Sequence, residues 1–139
     1  MKNKDIYELY TVIGRNQQLT FCKTAYAAYK TFGKLKEIGE TVDKLRNAII
    51  KEYGKPIGNG NYQIDPNNIP EEAKEKFEEL FKMENDIEIH KVSRKVFDAE
   101  AEKLITENGV SVGDCAVLER WLVDEPVSDS DPEKPAQGS

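Results

Sequence analysis

The chain has 139 residues, 38% of them hydrophobic and 33% charged, and a formal net charge of -6. That length suits one folding unit with a modest core, and the composition favours long solvated helix faces over a thick interior. A chain this acidic lacks the global basic field that neutralises phosphates, so nonspecific nucleic-acid binding is disfavoured.

The charge is uneven. Within residues 124–139, Asp124, Glu125, Asp129, Asp131 and Glu133 face only Lys134, so this tail holds -4 of the total. Its Pro, Ser, Asp and Gly composition buries too little to offset ordering entropy, and the reading is one helical domain over residues 1–123 with a disordered acidic tail over 124–139. The charged MKNKD opening has no apolar h-region, and no apolar run reaches membrane-spanning length. A cytosolic protein without membrane attachment is expected.

Ile6, Leu9, Tyr10 and Ile13 recur at helical spacing and predict a short helix over residues 5–13. Gly14, Asn16, Gln17 and Gln18 interrupt it. From Lys23 onward, Ala28, Phe32, Leu35, Ile38, Val42, Leu45 and Ile49 keep a spacing of three or four, which predicts one long helix. Tyr53, Gly54 and Pro56 end it. Gly33 and Gly39 lie inside, each costing about 1 kcal/mol against alanine, which suggests a bend or a close helix approach.

Gly58-Asn59-Gly60-Asn61 tolerates positive φ and predicts a turn before a strand over Tyr62 to Ile64. A third helix is expected from Pro70 to Glu84, with Ala73, Phe77, Leu80 and Phe81 inward. Ile87 and Ile89 alternate with Glu88 and His90, the pattern of a half-buried strand able to pair with Tyr62 to Ile64. Phe97, Ala101, Leu104 and Ile105 indicate a further helix that stops at Asn108-Gly109. Ser111 to Asp114 resembles a capping box before a last helix with Val117, Leu118, Trp121 and Leu122 inward. The fold class is therefore mainly α (α+β): a long central helix, shorter helices packed on it, and one small two-stranded β-hairpin.

Little in this pattern announces catalysis. Cys22 and Cys115 stand outside any metal-ligand spacing and read as buried free thiols. His90 is the only histidine, and its alternating context points it to solvent without an orienting partner. Carboxylate pairs such as Glu71 with Glu75 belong to a solvated helix face. No metal, no cofactor and no enzymatic role is expected. Lys23, Tyr26, Tyr29, Lys30 and Lys34 form the one local mixture of bases and aromatics, able to stack on a base or hold a phosphate. The plainer reading of the same segment is an amphipathic helix with snorkelling lysines. A helix of about thirty residues spans roughly 45 Å, more than so small a core covers, so a homo-oligomer is expected.

The segments LRNAIIKEYGK (residues 45–55), NYQIDP (61–66) and FEELFKMENDIEIHKV (77–92) resemble a family of small, poorly characterised proteins of tailed phages and prophages. In that family a long Lys- and Glu-rich helix ending in a KYG-like sequence precedes a DGNY-like turn, a helix and an IEIHKV-like strand. The likeness covers about residues 20–123. Ser93 to Gly109 is longer and more helical than the family pattern, and the acidic tail is no part of it. The resemblance implies a non-enzymatic accessory protein in the cytoplasm of a bacterial host. It would bind a phage or host protein, in particle or tail assembly. The alternative is an inhibitor of host immunity, as an acidic decoy or a sponge for a nucleotide signal. No catalytic residues come with the resemblance.

Overall fold

The computed structural model describes residues 1–124, and the tail beyond Asp124 lies outside them. The fold is mainly helical. In chain order it runs α1 (Asn3–Gly14), α2 (Lys23–Tyr53), β1 (Lys55–Gly58), β2 (Asn61–Gln63), α3 (Glu71–Lys82), β3 (Val92–Ser93), α4 (Arg94–Thr106), α5 (Val112–Leu122) and β4 (Val123–Asp124). The long helix occupies the span that its periodicity predicts, and the small antiparallel hairpin is present. No helix among the described residues is long and apolar enough to cross a membrane.

The described residues divide into two compact units, one of Met1–Thr11 with Lys34–Ile87 and one of Val12–Gly33 with the residues from Glu88 onward. In the first, Val42, Ile49, Ala73 and Leu80 form the buried cluster, with Tyr7, Ile38, Ile64, Ile69 and Phe77 among the side chains packed on it. The four cluster residues come from the inner stripes of α2 and α3, as the spacing requires. The amino terminus is tied to the end of α3. Buried Asn3 donates from Nδ2 to the Leu80 carbonyl at 2.9 Å and from its backbone N–H to the Met83 carbonyl at 2.7 Å. Gly39 is where α1 meets α2, since a Cβ there would lie 2.4 Å from Cγ of Tyr10.

β1 and β2 make an antiparallel hairpin in which Lys55 faces Gln63 and Pro56 faces Tyr62. This corrects the expected partner of the Tyr62 strand: residues 87–91 form no strand. The hairpin turn takes φ of +107° at Gly58, +52° at Asn59 and +76° at Gly60, values that favour glycine and asparagine. Gly54 is needed for a different reason. A Cβ at that position would meet the Gln63 carbonyl oxygen at 2.7 Å, so glycine lets β2 lie against the end of α2.

The second unit is built on Val12, Ile13, Ala28, Phe97, Leu104, Val110, Leu118 and Leu122, all buried. β3 and β4 pair in parallel, Val92 opposite Val123 and Ser93 opposite Asp124, a feature too short to leave a periodic signal. Ser111 caps α5 by accepting the Asp114 N–H at 3.0 Å, which is half of a capping box. The Asp114 carboxylate turns elsewhere: it accepts Arg15 Nε at 2.9 Å, Arg15 Nη2 at 2.5 Å and Asn16 Nδ2 at 2.8 Å. Those bonds join the end of α1 to the start of α5. Trp121 carries a cost, because its buried indole N–H finds no acceptor among the described residues.

Candidate functional site

α2 begins without an Asp, Ser, Thr or Asn at its cap, yet its first N–H groups are satisfied. The Glu100 carboxylate of α4 accepts Lys23 N–H at 3.0 Å, Thr24 N–H at 2.8 Å and the Thr24 hydroxyl at 2.6 Å. A carboxylate there also meets the positive end of the helix dipole. Burial pushes the Glu100 carboxyl up, but the hydrogen bonds from Thr24 and Lys23 outweigh that and hold it below the usual range. The start of α2, and with it Lys23 and Tyr26, is thereby fixed.

The loop before α2 is tied as firmly. Tyr29 Oη donates to the Asn16 carbonyl at 3.0 Å and accepts the Leu19 N–H at 2.9 Å. Asn108 accepts the Thr20 N–H at 2.6 Å through Oδ1 and Gln18 Nε2 at 2.7 Å through its carbonyl. Phe21 follows these anchors directly, and its side chain is 88% exposed. A large apolar ring is thus held out in water on a pinned loop.

Opposite it, the Thr31 hydroxyl accepts the His90 N–H at 3.1 Å, which satisfies the backbone where a strand ladder was expected. His90 is therefore half-buried rather than turned to solvent, and its ring stands edge-on to Tyr26 with centroids 5.4 Å apart. Phe21, Tyr26, His90, Val92 and Val96 then enclose a groove of about 440 Å³ with Lys23 and Lys91 at its rim. A second groove of about 470 Å³ shares Phe21 and Tyr26 and adds Leu19, Ala25, Tyr29 and Lys30. No carboxylate lines either one.

The five residues singled out in the sequence fare differently. Lys23 and Tyr26 line the first groove, while Tyr26, Tyr29 and Lys30 line the second, with the Lys30 ammonium 5.9 Å from the Tyr26 ring. Tyr26 is 51% exposed and free to be covered. Tyr29 is not a free stacking surface, because its hydroxyl locks the ring under the loop. Lys34 belongs to the first unit and lines neither groove. Phe21, Val92 and Val96 were missed. The available signal for Phe21 was an isolated aromatic in the non-periodic segment Gln17 to Lys23; Val92 and Val96 depend on long-range packing.

Cys22 and Cys115 are free, and burial pushes both thiols above their ordinary value, which favours the thiol over the thiolate. Among the described residues no group of three His, Cys, Asp or Glu side chains could hold a metal ion. Comparison with family models, with curated proteins and with solved structures returned no match for this chain.

Proposed function

We propose that this protein acts by binding another protein, and that the Phe21–Tyr26 surface is where it does so. The observation that carries this reading is the pinned, 88% exposed Phe21 beside the half-exposed Tyr26. Single exposed apolar residues are common, but a contiguous aromatic patch on a fixed backbone has the character of an interaction site. Pre-organisation lowers the ordering cost of binding, and aromatics dominate interface hot spots. The rim holds Lys23, Lys30 and Lys91 and no acid. The partner that fits is therefore a protein presenting an apolar side chain flanked by carboxylates.

The setting we propose is that of a phage or prophage accessory protein, and the LRNAIIKEYGK, NYQIDP and FEELFKMENDIEIHKV segments support it. A phage structural protein is the partner put first, with a host immune factor as the alternative occupant of the same surface. The nucleotide-sponge form of that alternative loses support at Lys23–Lys34, since the structure spends one of its two tyrosines on the loop. Phe21→Asp tests the reading cleanly, because so exposed a side chain contributes within about 0.5 kcal/mol of stability. With the native fold retained by circular dichroism, affinity for a partner captured on the unmodified protein should fall at least tenfold. Equal affinity would remove the surface from the mechanism.

Self-association is proposed through a different part of α2, around Leu45, since a second copy on the Phe21 surface would set its lysines against their own kind. α2 buries Ala28, Leu35, Val42 and Ile49 within its own chain, which leaves Tyr26 and Leu45 as its large exposed apolar side chains. Light scattering at tens of micromolar should give a dimer mass that reverts to monomer in Leu45→Asp and persists in Phe21→Asp. A monomer mass for the unmodified chain would remove this proposal.

A further inference from the structure

The first unit holds a concavity of its own, distinct in chemistry from the Phe21 surface. It lies between the last turns of α2, the β1–β2 hairpin and α3, and has a volume of about 600 Å³. That size is in the range of small-molecule sites. Its existence follows from Gly54, which lets β2 approach the helix end, and from the positive-φ turn at Gly58 to Gly60, which brings Asn61 and Tyr62 round to form a wall.

In a chain with 26 acidic and 20 basic residues, this groove is lined by Arg46 and Lys51 and by no carboxylate. Neither cation has a carboxylate partner among the described residues. The Lys51 ammonium sits 5.9 Å from the centroid of the Tyr62 ring, so the aromatic face and the charge are already side by side. Arg46 Nη1 reaches Asn47 Oδ1 at 3.4 Å, a weak bond readily exchanged for a better acceptor. The floor is apolar, from Ile50, Ile69 and Phe77, whereas Asn61 and Gln63 offer amide donors and acceptors along one side.

We propose that this groove binds a mononucleotide. Arg46 and Lys51 would take the phosphate, Phe77 and Ile69 would cover the flat face of the base, and the amides of Asn61 and Gln63 would meet its edge. The cation-plus-tyrosine chemistry sought at Lys23–Lys34 is thus assembled at Arg46, Lys51 and Tyr62, from residues too distant in sequence to read as one motif. An extended acidic peptide shares the negative charge but has no planar body to fill the apolar floor.

Calorimetric titration of the full chain with linear and cyclic mononucleotides, inorganic phosphate and a glutamate-rich hexapeptide decides the matter. The expected result is saturable binding of at least one nucleotide, with phosphate and peptide each at least tenfold weaker. Lys51→Glu should weaken the nucleotide at least tenfold, while the exposed Lys36→Glu, an equal change of charge away from the groove, leaves it within twofold. Circular dichroism and thermal melting establish that both variants fold, which exposure of both side chains favours. The proposal is overturned by no nucleotide heat, by phosphate or peptide binding as tightly as any nucleotide, or by equal effects of the two variants.

Discussion

Replacing Asp114 with alanine should lower the unfolding free energy by about 2–3 kcal/mol, measured by denaturant titration. Its carboxylate is only 10% exposed and accepts three bonds, two from Arg15 and one from Asn16. Hydrogen bonds to charged groups contribute about 1.5–3 kcal/mol each, but two facts reduce their sum. The Arg15 side chain is 57% exposed and regains water when its partner is lost, and Asn16 Nδ2 still donates to the Val12 carbonyl at 2.7 Å. The same group makes the protein acid-sensitive. The Arg15 hydrogen bonds hold the Asp114 carboxyl below its ordinary value, so its contribution is complete above the unfolded-state pKa of about 4 and disappears as pH falls through the folded value. The Glu100 carboxyl is also depressed and acts in the same direction. Melting temperature should therefore drop below about pH 4, and the drop should be shallower in Asp114→Asn. Parallel pH profiles for the two proteins would contradict this assignment.

The two glycines inside α2 should respond with opposite signs. Alanine at either position gains about 1 kcal/mol of helix propensity. At Gly33 nothing lies within 4 Å of the new Cβ, so the gain is realised and Gly33→Ala should stabilise by about 0.5–1 kcal/mol. At Gly39 the Cβ would lie 2.4 Å from Cγ and 2.6 Å from Cδ1 and Cδ2 of Tyr10. A ring approached at three atoms cannot yield by rotating about its own axis, so α1 must move. Overpacking costs about 1–3 kcal/mol, and three ring atoms inside 3 Å place this case in the upper part of that range, which after the propensity gain of about 1 kcal/mol leaves Gly39→Ala destabilised by about 1–2 kcal/mol. Thermal melts of the two variants side by side check this, and a stabilised Gly39→Ala would show that α1 does not pack there.

The elements legible in the sequence are those whose signal is local and periodic. α2 runs from Lys23 to Tyr53 because its seam never breaks and because Gly54 and Pro56 end it. Gly39 could be suspected of a close approach, and Tyr10 supplies it. The strand partner was misread because Lys55–Gly58 contains Pro56 and Gly58 and looks like a helix terminator, whereas Ile87 to His90 alternates and looks like a strand. What decided between them was the Gly54–Gln63 approach and the Thr31–His90 bond, neither of which has a sequence period. The candidate site divides along the same line. Lys23, Tyr26 and Lys30 were visible as residue types on one helix, but the loss of Tyr29 to the loop, the pinning of Phe21 and the cap from Glu100 are tertiary events.

Site-specific photo-crosslinking in the cells that carry the gene would catch a protein bound through Phe21 and Tyr26 in the act. A photoreactive residue in place of Phe21, and separately in place of Tyr26, should trap one and the same protein band, while the exposed control position Lys36 traps none. The trapped segment should carry an apolar residue among carboxylates. No protein adduct from positions 21 and 26, or an identical adduct from position 36, would show that the Phe21–Tyr26 surface is not where this protein binds its partner.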